Sequence, residues 1–165
     1  MDIANGGHYH NTSTGKDQGD KIDVAEGGKW TNDGESAWGQ VDINGGATNN
    51  GDLIIGNGDD KDDDFYIGLD GSLENKGHID AGNSGTADIE GDLINGSLTP
   101  DGKPDDDASI KFDDAVVHPG GKLWVIGNGD LTFGPASRAL PRRTIRALWA
   151  KASRSPKRSA HSSST

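Results

Sequence analysis

The stretch Ile43-Asn-Gly-Gly-Ala-Thr-Asn-Asn-Gly-Asp-Leu53 sets out a grammar that recurs along most of the chain. A short apolar alternation ends at Ile43, a Gly pair turns the chain, and Asn49-Asn-Gly51 turns it again before a second alternation begins at Leu53. Upstream, Ile22-Asp-Val24 leads through Glu26-Gly-Gly28 to Asn32-Asp-Gly34. Downstream, Tyr66-Ile67-Gly-Leu69 leads through Asp70-Gly71 to Asn75-Lys-Gly77, and Asp88-Ile89-Glu-Gly91 leads to Asn95-Gly96. Ile110-Lys-Phe112 followed by Pro119-Gly-Gly121 closes the series. Corresponding Gly residues stand 17 apart (Gly34 to Gly51), then 26 (Gly51 to Gly77). Fixed phrases at irregular spacing are the mark of one structural unit interrupted by loops of different length.

Alternate apolar positions give each short segment one inward face. Asn-Gly, Asp-Gly and Gly-Gly suit tight corners, where positive φ is expected. Val, Ile, Leu and Phe together supply only 29 of 165 residues, so a conventional core is out of reach. A parallel β-solenoid escapes this limit, because each rung buries its inward face against the rungs stacked on it. Disorder and an antiparallel hairpin array are the competing readings, since Asn-Gly turns also suit hairpins.

Charge divides the chain in two. Residues 1–134 hold all 27 acids and all 26 Gly, with eight Lys and no Arg, for a net charge of −19. Residues 135–165 hold no acid, six Arg and two Lys. The expected organisation is a disordered segment over 1–21, repeats over 22–134, and an unrelated basic tail over 135–165. An acidic body repels nucleic acid and anionic membranes. With no Cys, disulfides and thiolate metal sites are excluded. Met1-Asp2-Ile3-Ala4 is not the start of a signal peptide, so any export signal is expected to lie outside this chain.

The phrases Ile43-Asn-Gly-Gly-Ala-Thr-Asn-Asn-Gly-Asp-Leu53 and Leu73-Glu-Asn-Lys-Gly-His-Ile79-Asp resemble the passenger repeats of bacterial autotransporter adhesins. The resemblance covers about residues 22–134 and lies in repeat grammar. It implies a right-handed parallel β-helix of about five rungs, secreted and displayed at the outer membrane. It also implies adhesion to host or neighbouring-cell surface molecules, glycans among them. No membrane barrel is expected within these 165 residues.

Candidate chemistry is sparse, and the chain is expected not to be an enzyme. There is no nucleophile elbow, Walker loop or zinc signature. The two Asp runs, Asp60, Asp62, Asp63 and Asp64 in one and Asp105, Asp106 and Asp107 in the other, each precede an apolar segment. Clustered carboxylates are hard oxygen ligands suited to calcium, which makes a calcium-dependent structural module one alternative function. A solvated acidic loop is the plainer reading. Trp30, Trp38 and Trp124 allow a carbohydrate-binding or carbohydrate-active β-helix as the other alternative, against simple core packing. His8-Tyr-His10 places two imidazoles where they could pinch a metal from one strand face, against the plainer reading of a mobile, exposed N-terminus, while His78 and His118 stand alone in turn regions.

In the tail, Ile145, Leu148, Trp149 and Ala152 fall at helical spacing beside Arg142, Arg143, Arg146 and Lys151. A helix over 142–152 touching a membrane surface is one expectation. The abrupt switch in composition fits another, a shifted reading frame whose product has no role.

Overall fold

In a computed structural model the chain is built from short strands that pair only in parallel. The structure describes residues 1–56, 64–82, 86–103, 108–112, 114–126 and 130–133, with the backbone of 138–139 and 144–148. The strands are β1 (Asp2–Ile3), β2 (His8–Asn11), β3 (Lys16–Val24), β4 (Lys29–Asn32), β5 (Glu35–Ile43), β6 (Gly46–Asn49), β7 (Asp52–Ile55), β8 (Phe65–Ile67) and β9 (Ser72–Asn75). They continue as β10 (His78–Ala81), β11 (Ala87–Ile89), β12 (Asp92–Asn95), β13 (Ser109–Phe112), β14 (Ala115–Val117), β15 (Lys122–Ile126), β16 (Asp130–Phe133), β17 (Arg138–Ala139) and β18 (Thr144–Leu148).

The strands form one 11-stranded sheet and one 7-stranded sheet. The larger sheet carries two columns. The first contains the N-terminal halves of β3 and β5, then β7, β10, β13 and β16. The second contains β1, the C-terminal halves of β3 and β5, then β8, β11, β14 and β17. The smaller sheet is a third column of β2, β4, β6, β9, β12, β15 and β18. From β3 on, the chain visits first, second and third column in turn, so sequence neighbours seldom pair and rung neighbours always do. Parallel pairing throughout the described strands rules out the hairpin array, whose neighbours would be antiparallel.

Each column contributes two inward positions per rung, and these positions stack on themselves. Leu53, Ile79 and Ile110 are register partners in the first column. Val41, Phe65, Ala87 and Ala115 succeed one another in the second. Trp30, Ala47, Leu73, Leu93 and Leu123 do so in the third. All are buried, and one hydrophobic cluster draws on all three columns. Large residues sit above small ones, Trp30 on Ala47 and Phe65 on Ala87, which keeps the interior filled where rungs differ. Phe112 stacks between Phe65 and Phe133 at centroid distances of 5.9 and 5.8 Å, joining the first two columns.

The second inward position of the third column is polar. Asn11, Asn32, Asn49, Asn75 and Asn95 are buried there, one per rung. Asn11 Nδ2 donates to Asn32 Oδ1 at 2.8 Å, Asn32 to Asn49 at 2.7 Å, Asn49 to Asn75 at 2.8 Å, and Asn75 to Asn95 at 2.8 Å. The other amide hydrogen reaches the carbonyl that opens the next first-column strand: Glu35 at 3.0 Å, Asp52 at 3.1 Å, His78 at 3.1 Å and Ser109 at 3.1 Å. Val125 takes the next place in the register, and Asn95 Nδ2 turns to the Asp130 carbonyl at 2.8 Å. Every amide therefore closes a corner and bonds along the stack at once, which satisfies a row of polar groups inside an apolar interior.

The corner glycines serve two purposes, the positive φ expected of them and close approach of stacked backbones. At Gly51 a Cβ would stand 2.1 Å from the Gly34 carbonyl oxygen, and at Gly77 it would stand 2.1 Å from that of Gly51. The Asn-x-Gly glycines are thus required by close approach of stacked backbones. The expected positive φ is found at Gly6 and Gly96, each after an Asn, and at Gly27 and Gly120 in Gly-Gly corners.

Two expectations about the ends are corrected. Residues 1–21 are not a disordered segment, because β1, β2 and the first half of β3 lie within them. Ile3 is in register with Val24, Tyr9 is in register with Trp30 and packs against the core, and Asn11 begins the amide row. A sheet edge already in place supplies the partners that this polar stretch lacks by itself; the Lys29 amide, for instance, donates to the Gly7 carbonyl at 2.9 Å. In the tail, Thr144–Leu148 is a strand, β18, in register with β15. Pairing with an open sheet edge outweighs the local helical spacing. Arg142, Arg143, Trp149, Lys151 and Ala152 lie outside the described residues.

Candidate functional site

Outward positions alternate with the buried ones and build exposed rows along each column. The third column carries the most varied row. Its middle outward positions are His10, Thr31, Thr48, Glu74, Ile94 and Trp124, in successive register. Beside them run His8, Lys29, Gly46, Ser72, Asp92 and Lys122. Gly46 has no side chain and nothing within 4 Å of where one would be. The gap opens a shallow depression of about 420 Å³ with Trp30 and Ala47 beneath it and His8, Lys29, Thr48, Ser72 and Glu74 around it. Hydroxyls, one ammonium and one carboxylate on an open surface can hydrogen-bond an extended polar ligand. They do not converge on one reacting atom.

Pairs of ionisable groups bridge neighbouring rungs. His10 Nε2 lies 2.6 Å from Asp33 Oδ2, and Asn50 Nδ2 donates to Asp33 Oδ1 at 2.6 Å. These two hydrogen bonds, that from Asn50 first, hold the Asp33 carboxyl below its ordinary pKa. Lys21 bonds Asp42, which raises the ammonium above its ordinary value. Tyr9 donates its phenol to Asp17 at 2.8 Å, and the carboxylate acceptor raises the phenol pKa. Tyr66 is raised chiefly by desolvation, with its bond to Glu90 second.

His78 and His118 are not isolated. His78 opens β10, and its Nδ1 lies 2.8 Å from Ser109 Oγ. His118 Nε2 lies 2.7 Å from Asp88 Oδ1. Trp30 and Trp38 are core residues, 1% and 7% exposed, so neither offers a sugar-stacking platform. Trp124 is half-buried on the outward row.

Of the residues expected to bind calcium, Asp60, Asp62, Asp63, Asp105, Asp106 and Asp107 lie outside the described residues. Asp64 leads into β8, and its carbonyl accepts from the Val41 amide at 3.0 Å. Among the described residues, no three His, Asp or Glu side chains gather closely enough to cage a metal ion, and no helix is long and apolar enough to cross a membrane. No protein-family model, curated protein or solved structure matches the chain.

Proposed function

We propose that the three columns close into a right-handed parallel β-solenoid, and that the chain is an adhesive repeat segment displayed at a bacterial surface. The observation that carries this reading is the buried asparagine row. It fixes rung upon rung in one register and so makes a stiff scaffold whose outer rows are free to vary. Sequence economy points the same way, since few large apolar residues per rung suffice. The resemblance of residues 22–134 to autotransporter passenger repeats adds the surface location and the adhesive role. The exposed polar row of the third column is the face best suited to contact a glycan or protein on another cell.

The test is adherence. The purified chain, fluorescently labelled, should bind epithelial or bacterial cells saturably and be displaced by excess unlabelled chain. Substituting Thr31, Thr48 and Glu74 together with Ala should lower binding at least tenfold while leaving the circular dichroism spectrum intact. Absence of saturable binding, or release of sugars from polysaccharides by the purified chain, would overturn the proposal in favour of an inert or an enzymatic β-helix.

A further inference from the structure

Beyond adhesion, the geometry points to a metal site: we propose that His8 and His10 together chelate one divalent ion of the zinc, copper or nickel class. Both lie on β2, the edge strand of the smaller sheet, two residues apart. Residues so spaced face the same side of a strand, with Cα atoms roughly 7 Å apart by the strand rise. The burial pattern agrees: His8 and His10 are exposed, Tyr9 is half-buried and Asn11 is buried. Two imidazoles therefore face the same side of the sheet, and among the described strands none pairs beyond β2.

The rung above is arranged as a supporting shell. Asp33 Oδ2 sits 2.6 Å from His10 Nε2, and Asp33 is itself fixed by the Asn50 amide at 2.6 Å. A carboxylate accepting from one ring nitrogen fixes the ring and leaves the other nitrogen as a free lone pair, which is how metal-ligating histidines are oriented. His8 Nε2 lies 3.4 Å from Thr31 Oγ1, a long contact that leaves this ring free to turn toward an ion. Thr31 and Asp33 belong to β4 and the corner that follows it, and the asparagine row holds that corner in place. Two nitrogen donors with water completing the shell select late first-row ions over calcium or magnesium, which need oxygen. Lys29, the register partner of His8, opposes any cation and sets an upper limit on affinity.

The experiment is calorimetric titration of the full chain with zinc and with copper at pH 7.5. One ion per chain is expected, with affinity falling at least tenfold in His8→Ala and in His10→Ala and binding lost in the double variant. Asp33→Asn should weaken binding about 10–100-fold without abolishing it, and His118→Ala should leave it unchanged. Should the β2 variants lose their fold, substoichiometric copper added to the unsubstituted chain reads the site directly. The proton signals of His8 and His10 should broaden before those of His78 and His118. Binding that survives the double variant, broadening that spares His8 and His10, or displacement of zinc by millimolar calcium would each overturn the proposal.

Discussion

Asn49 stands in the middle of the amide row, and its truncation should be among the costliest single changes in the chain. Its Nδ2 donates to Asn75 Oδ1 at 2.8 Å, to the Gly51 carbonyl at 3.0 Å and to the His78 carbonyl at 3.1 Å. Its Oδ1 accepts from Asn32 Nδ2 at 2.7 Å. In Asn49→Ala one hydrogen of Asn32 and the side-chain oxygen of Asn75 lose their partners, and both residues are fully buried. Each orphaned group costs about 1–3 kcal/mol, so the pair costs about 2–6 kcal/mol before any cavity is counted. That is a large fraction of the roughly 5–15 kcal/mol by which a domain is stable. Asn49→Leu restores volume but not the bonds and should remain costly. Asn50→Ala is the control: the side chain is exposed and loses one bond to a solvated carboxylate, worth less than about 1 kcal/mol. Urea unfolding followed by circular dichroism measures all three. Stacked rungs need not unfold in one step, so amide exchange in β4, β6 and β9 should be read in parallel and should quicken there first. A midpoint for Asn49→Ala equal to that of Asn50→Ala, or full recovery in Asn49→Leu, would refute the argument that amide bonding fastens the rungs.

Gly51→Ala should destabilise by about 1–3 kcal/mol or more, since its Cβ meets the Gly34 carbonyl at 2.1 Å, whereas Gly46→Ala faces open space and should shift the urea midpoint little. Asp33 has its pKa lowered in the folded state, so its contribution is complete above the unfolded value of about 3.9 and disappears as pH falls through the folded one. The stability gap between the parent chain and Asp33→Asn should therefore close in acid, as pH falls through the carboxylate range. With the side chain 32% exposed, the gap should stay under about 1 kcal/mol. Both tyrosines should ionise above the ordinary phenol value of 10.0 when absorbance is followed at alkaline pH, and Asp17→Asn should lower the Tyr9 step alone.

The strands of the repeat segment were legible because turn phrases and alternation coincide, as at Ile43 to Leu53. The amide row was legible too, but in a different frame. Asn32, Asn49, Asn75 and Asn95 stood out as parts of turns, since Asn one or two residues before Gly is ordinary corner chemistry. Read two residues back, each follows an apolar partner: Trp30, Ala47, Leu73 and Leu93. A period of two then puts Asn on the apolar face and hence indoors. The same frame finds Tyr9-His-Asn11, which would have brought the polar N-terminus into the stack. What no local pattern could supply is the effect of an open edge. Ile145 and Leu148 follow a helical spacing along the chain, yet become strand only by lying beside Leu123 and Ile126. Six of the seven Asp residues named for calcium, all but Asp64, lie outside the described residues.

The amide row spans sequence gaps of 21, 17, 26 and 20 residues with nearly constant geometry. Reach is therefore quantised. A duplication or deletion of any length that adds or removes one apolar-x-Asn phrase changes the molecule by one strand spacing, about 4.8 Å, and any surplus residues leave at a corner. Gene-length variation in such a chain is split into two independent outputs, how far it extends and what it exposes at its corners. A foreign peptide grafted into a corner would alter the second and leave the first unchanged.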